Sequence, residues 1–273
     1  MITYIPDGLE EQTAVARTTH LAIAAHQDDI EFMAYAPIAE CFGSSGKWFG
    51  AVVVTDGAGS PRSGIYADYT DEEMKKVRIV EQKKAAFLGE YSFLALLGHP
   101  SKEVKAGERA IVEELASLIK RAKPKYLYTH NLADKHETHV ATALRVIAAL
   151  RLLKPEERPE KVFGCEVWRD LDWLSDNEKI YLDCGAHPNL MRALSAVFDS
   201  QIAGGKRYDL AAEGRRLANA TFSASHACDT YSALNYAMDL TPLMDESVDI
   251  ANFITAAIER FKEQVKEGIR KFQ

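Results

Sequence analysis

The chain has 273 residues, 47% of them hydrophobic and 27% charged, enough for one large core under an ordinary soluble surface. Its net charge of −7 argues against nucleic acid, which calls for a basic footprint. The polar, acidic first dozen residues do not resemble a signal peptide, so none is expected, and no apolar run nears the roughly 20 residues that span a bilayer. Four scattered cysteines (Cys41, Cys165, Cys184, Cys228) without metal-type pairing read as free thiols, so a cytoplasmic location is expected.

Residues 1–20 read as an irregular or partly helical arm. Leu-Ala-Ile-Ala-Ala at 21–25 is a short unbroken apolar run, the pattern of a strand buried on both faces. It opens directly onto His26, Gln27, Asp28, Asp29 and Glu31. In open α/β sheets ligands bind beyond the carboxyl ends of the strands. Carboxylates crowded there repel one another and lose hydration, which is costly unless a cation compensates. An acidic surface loop is the alternative; the His beside the strand end favours a metal site.

Residues 32–42 carry a helical stripe (Met33, Ala36, Ile38, Ala39, Phe42) ending at Gly43. A second strand at 48–55 closes on the turn Asp56-Gly57-Ala58-Gly59, and the polar stretch to Tyr69 suits a substrate-contacting loop. Helix is predicted over 71–88, with Val77, Val80, Lys84, Ala85 and Leu88 on its packed face and Gly89 as its stop. A strand at 91–97, a helix at 108–122 with the stripe Ile111, Val112, Leu115, Leu118 and Ile119, a strand at 125–129 and a helix at 138–153 follow. This alternation predicts a three-layer, Rossmann-like α/β fold with a mostly parallel sheet. Past the Pro-rich link at 154–159 come strands at 162–168 and 179–183, helices at 188–201 and 208–220, and a long amphipathic helix at 249–272. We read the chain as a single domain over 1–273 with a smaller C-terminal subregion, the link being a candidate sub-boundary. The wide apolar stripe of the last helix favours a homo-oligomer.

A second polar cluster follows the strand at 125–129. It contains His130, Asp134, His136, Glu137 and His139, and the three histidines fall within ten residues. His136 and His139, three apart, share one face if helical. Asp134 or Thr138 capping a helix start is the plainer reading. Two His/Asp clusters at strand ends of one sheet can meet across its crevice. Nitrogen and carboxylate ligands without thiolate suit Zn²⁺, or Fe²⁺ or Ni²⁺. Three protein ligands plus a water is the catalytic rather than the structural arrangement, and it brings the pKa of that water from 15.7 toward about 7.

These residues carry a resemblance. Ala25-His26-Gln27-Asp28-Asp29-Ile30-Glu31 is similar to the A-H-P-D-D-E signature of the PIG-L/LmbE-like zinc N-deacetylases, which include N-acetylglucosaminyl-phosphatidylinositol deacetylases. Supporting matches are Val54–Gly59, Arg78–Glu81 with Leu88-Gly89, His136-Glu137-Thr138-His139 in place of H-P-D-H, and Asp199-Ser200-Gln201. The resemblance implies that His26, Asp29 and His139 bind zinc, that Asp28 is the general base, and that His136 is a cation stabilising the oxyanion or protonating the leaving amine. It implies substrate binding by Arg78. Two positions depart from the pattern. Gln27 replaces Pro, and Thr138 replaces the Asp that partners the catalytic His, with Asp134 or Glu137 as candidate substitutes.

The implied activity is hydrolysis of an N-acetyl group on an N-acetylglucosamine-type sugar or its conjugate, a small amino-sugar substrate. An amidase on a non-sugar amide and a catalytically silent, metal-containing carbohydrate-binding protein are the alternatives. A nucleotide-binding protein ranks last, because the first strand leads into His and carboxylates rather than a Gly-rich loop. The aromatic residues around 168–173, Tyr66, Tyr69 and the segment 221–242 lie beside polar residues and suit stacking on a sugar ring, with plain surface loops as the alternative.

Overall fold

The computed structural model describes residues 1–273. Its eight strands are β1 (Ile2–Tyr4), β2 (His20–Ala24), β3 (Phe49–Thr55), β4 (Phe93–His99), β5 (Tyr126–His130), β6 (Lys161–Cys165), β7 (Lys179–Asp183) and β8 (Leu234–Asp239). They form one sheet in the order β1-β4-β3-β2-β5-β6-β8-β7. β2 to β6 are mutually parallel. β1 pairs antiparallel with β4, and β8 antiparallel with both β6 and β7.

β2 and β3 are buried along their whole length, as a sheet covered on both faces requires. Side chains alternate between the faces. Leu21, Ile23, Val52 and Val54 enter one core with the helices Arg109–Ala122 and Glu137–Leu152. Ala22, Ala24, Ala51 and Val53 enter the other, against Tyr35–Cys41 and Pro188–Ala196. The architecture is the expected three-layer α/β fold with a mostly parallel sheet. β6, β7 and β8, all past the link at 154–159, continue the same sheet. No helix is long and apolar enough to cross a membrane.

The elements depart from expectation where local signals are weak. β1 is only three residues long and lies in the stretch read as an irregular arm. β8 lies in the segment 221–242, for which no element is predicted, and its strand state comes from pairing on both edges. The helix expected over 32–42 is two, Asp29–Met33 and Tyr35–Cys41. Pro37 lacks the N–H that would carry a continuous helix through this point.

The helix Asp71–Leu88 begins with a capping box between Thr70 and Glu73 and ends at Gly89, as its sequence signals indicate. Its buried face is not the apolar one. Met74, Arg78, Glu81, Gln82, Ala85 and Ala86 are inside, while Val80 is half exposed. The reason is that this helix turns its polar side chains toward the carboxyl ends of β2 and β3.

Candidate metal centre and cleft

β2 and β5 are neighbours, yet the chain leaves them in opposite directions. After β2 it builds β3 and β4 on one side; after β5 it builds β6 on the other. Their carboxyl ends therefore flank the crevice where the strand order reverses, the usual ligand site of such sheets. His130 closes the gap between them, its Nε2 accepting the Ala25 N–H at 2.8 Å. That bond occupies the lone pair of Nε2, so His130 serves as a brace, and burial keeps its ring neutral, well below the usual pKa.

Just past this brace three ligand atoms converge. His26 Nδ1 lies 3.0 Å from Asp29 Oδ2 and 3.2 Å from His139 Nε2, and His139 Nε2 lies 3.2 Å from Asp29 Oδ2. Ligands on one face of a tetrahedral Zn²⁺ with bonds of 2.0–2.1 Å stand about 3.3 Å apart, so the triangle fits a divalent ion. Its electrostatics agree. Burial works against charge on His139, but Asp29 and Asp134 lift it to about 9, while His139 and His26 hold Asp29 well below the carboxylate range despite its burial. A cluster that binds a proton this tightly can exchange it for a metal cation. Groupings of His26, His136 and His139, and of Asp29, His130 and His139, also lie within ligand range.

Asp28 stands beside the triangle in a strained backbone, with φ of 88°. Several bonds hold it there. Its N–H donates to Gln82 Oε1 at 3.1 Å, and its Oδ2 accepts from Arg78 Nη2 at 2.9 Å. Arg78 also donates to the Gln27 carbonyl and, at 3.2 Å, to Glu81. Glu81 in turn accepts both the backbone N–H and the hydroxyl of Ser200 at 2.7 Å. Gln82 Nε2 and the Tyr91 hydroxyl both donate to Glu31 at 2.7 Å. Burial and the neighbouring Asp29 raise the Asp28 pKa to about 6 against the pull of Arg78. Gly57, with φ of 79°, packs where a Cβ would meet Gln27 and Arg78.

Of the two candidates for the missing Asp, Glu137 is exposed and faces Lys105 at 3.5 Å. The Asp134 side chain is buried but turns to the other histidine. Its Oδ2 lies 3.5 Å from His139 Nδ1 and accepts the Trp168 N–H at 3.1 Å, while its Oδ1 accepts the His136 N–H at 2.9 Å. The ring of His136 receives no carboxylate. It precedes the helix Glu137–Leu152 as its N-cap, and its Nδ1 accepts the Thr138 N–H at 3.3 Å. This bond assigns the ring proton to Nε2. Burial, His139 and His26 push the His136 pKa down to about 4.

His26, Asp28, Asp29, Arg78, His136 and Thr138 line one wall of a cleft of about 300 Å³. Phe32, Trp168 and Tyr208 line the other, with ring centroids 5.5 Å apart for Phe32–Tyr208 and 6.0 Å for Trp168–Tyr208. Trp168 stands 6.1 Å from His136. Gly57, Gly59, Ser60 and Pro61 supply part of the rim, and Tyr66 instead donates to Asp199 at 2.6 Å. Arg78 lines the cleft but is 1% exposed. Sequence reasoning missed Gln82 and Tyr208, which no motif marks, and the bond of Asp134 to Trp168, which joins residues 34 apart.

Residues 21–150 match the family model described as PIG-L, GlcNAc-PI de-N-acetylase. No curated protein matches the chain. Among solved structures, N,N'-diacetylchitobiose deacetylase from Pyrococcus horikoshii aligns with TM-score 0.65 at 12% identity, over 86% of this chain and 88% of that one. The 4-carboxy-2-hydroxymuconate hydratase GalB from Pseudomonas putida KT2440 aligns with TM-score 0.64 at 17% identity, over 85% and 100%. A zinc-inhibited form of teicoplanin deacetylase aligns with TM-score 0.57 at 14% identity, over 85% and 100%. At these identities the likeness is one of fold. Deacetylases and a hydratase share it, so the choice of reaction rests on the site.

Proposed function

We propose, from the premise that residues 21–150 carry a PIG-L domain, that this chain is a metal-dependent hydrolase removing an N-acetyl group from an N-acetylglucosamine-type sugar or its conjugate. The observation that carries this reading is the triangle of His26 Nδ1, Asp29 Oδ2 and His139 Nε2, edges 3.0 to 3.2 Å, with Asp28 beside it on the wall of the cleft. His26, Asp29 and His139 would hold the ion, with Zn²⁺ the best fit to two nitrogens and a carboxylate and Fe²⁺ an alternative. Once bound, the ion supplies a Lewis acid and lowers the pKa of a coordinated water toward about 7.

The chain's own groups account for the proton transfers. Asp28 takes a proton from the attacking water as the oxygen bonds to the amide carbon, and a pKa near 6 suits a base working near neutrality. His136 donates its Nε2–H to the developing oxyanion as a neutral imidazole, because Thr138 offers its ring a backbone N–H and no carboxylate reaches it. As the carbon–nitrogen bond breaks, Asp28 returns its proton to the leaving amine. Arg78, buried and bonded to Asp28, acts by orienting the base. The sugar ring would lie on Trp168, whose indole gives an apolar face within a ring's width of His136.

Acetate release from a panel of N-acetylated sugars and non-sugar amides, with metal analysis of the same sample, tests the proposal. Release from amino sugars by the metal-loaded protein is expected. Release only from non-sugar amides would make it an amidase, and binding of sugars without release a silent binder.

A further inference from the structure

The helix Ile250–Arg270 has 21 residues, about 31 Å at 1.5 Å per residue, and only its first half has a partner within the chain. Ile250, Phe253 and Ile254 pack against the core and Ala257 is buried, but no later helical residue is. The remainder touches its own domain at the edge only, through Arg260 to Glu178 at 2.5 Å and Ser175 to Gln264 at 3.4 Å. Yet the apolar spacing continues. Ile258, Phe261, Val265, Ile269 and, just past the helix, Phe272 are 43, 37, 45, 54 and 86% exposed. A helical end of about a dozen residues is marginal in water without a packed face.

The spacing of these five residues is symmetric. Phe261 and Ile269 lie four residues either side of Val265, and Ile258 and Phe272 lie seven either side. Two such helices running antiparallel about Val265 would place Val265 on its own copy, Phe261 on Ile269, and Ile258 on Phe272, with the three- and four-residue steps of a coiled-coil seam. The charges permit the same two-fold. Glu259 falls beside Arg270 of the second copy on one flank, and the exposed Lys262–Glu259 pair within one chain is cheap to exchange for it. Glu263 and Glu267 lie on the helix face away from the seam.

We propose that the overhanging end of this helix is a two-fold dimer interface, each copy laying residues 258–272 antiparallel on the other with Val265 on the axis. The contact is isologous and closed, so it stops at two subunits. It lies on the last helix, none of whose residues line the cleft, and stands independently of the chemistry proposed there.

Sedimentation equilibrium of the full chain at micromolar concentration should give twice 30.4 kDa. Val265→Glu sets two carboxylates on the axis and should give the single-chain mass while still melting as a cooperatively folded protein, at a temperature no longer dependent on concentration. In a Cys228→Ser background, which removes the exposed native thiol, Val265→Cys should cross-link to itself with a short bismaleimide. Thr255→Cys, on the docked turns, should not. A single-chain mass for the unmodified protein would overturn the proposal. So would a dimer that survives Val265→Glu, or a Val265→Cys dimer that the bismaleimide fails to cross-link.

Discussion

Across the cleft a polar wall faces an aromatic one, and the two are assembled in different ways. In the polar wall, His26, Asp28, Asp29, His136 and His139 come from two short stretches, 26–29 and 130–139, each placed by a strand end, with Arg78 added from the helix Asp71–Leu88. The aromatic wall draws Phe32, Trp168 and Tyr208 from three distant segments. Asp134 joins them, bonding the Trp168 backbone while it faces His139. The proposed chemistry thus sits just past strand ends, whereas the aromatic surface comes from a loop at Trp168, a late helix at Tyr208 and the short helix Asp29–Met33 at Phe32.

If the polar wall holds the ion, its ligands should be the most sensitive positions. Asp29→Ala breaks two edges of the triangle, so near-complete loss of bound metal and of turnover is expected, read by elemental analysis. Asp28→Asn removes the base and leaves the ligands, so kcat should fall about 10²–10⁴-fold with the metal retained. The same residue sets a pH dependence. The active form is the carboxylate, so kcat/KM should fall as pH drops through about 6. Arg78→Gln removes a cation that favours ionisation and should move that limb to higher pH.

The joint between the walls should give an intermediate effect. Asp134→Asn keeps one acceptor oxygen for the His136 and Trp168 N–H groups, puts an amide NH2 in place of the other, and takes the negative charge from His139 Nδ1. Metal affinity, measured by chelator competition, should weaken about 10–100-fold. The smallest effect belongs to the aromatic wall. Trp168→Ala should raise KM about 3- to 10-fold with kcat and metal content little changed, in keeping with ~0.5–1.5 kcal/mol for an aromatic contact. A larger fall in kcat than rise in KM would mean that Trp168 acts on the chemistry through Asp134.

The same contrast explains what could be read from the sequence. The run 21–25 leading into His26 and Asp29, and the stripe of Ile111, Leu115, Leu118 and Ile119, announce themselves because strand, helix and ligands are local patterns. The helix 71–88 misleads, since Val80 lies half exposed while Arg78, Glu81 and Gln82 turn inward to support Asp28. Apolar periodicity cannot register a face buried for its polar groups. β8 and Tyr208 take their places through partners far away in sequence, and no spacing encodes that. Thr138 is visible as a departure from the family motif, but that Asp134 turns to His139 rather than His136 depends on where Trp168 lies.

The central claim is that one divalent ion sits on the triangle of His26, Asp29 and His139. Anomalous diffraction from crystals of the zinc-loaded protein tests it most directly. The account predicts one strong peak about 2.0–2.2 Å from His26 Nδ1, Asp29 Oδ2 and His139 Nε2. A peak ligated instead by His130 or His136, or no peak within reach of the three, would contradict it.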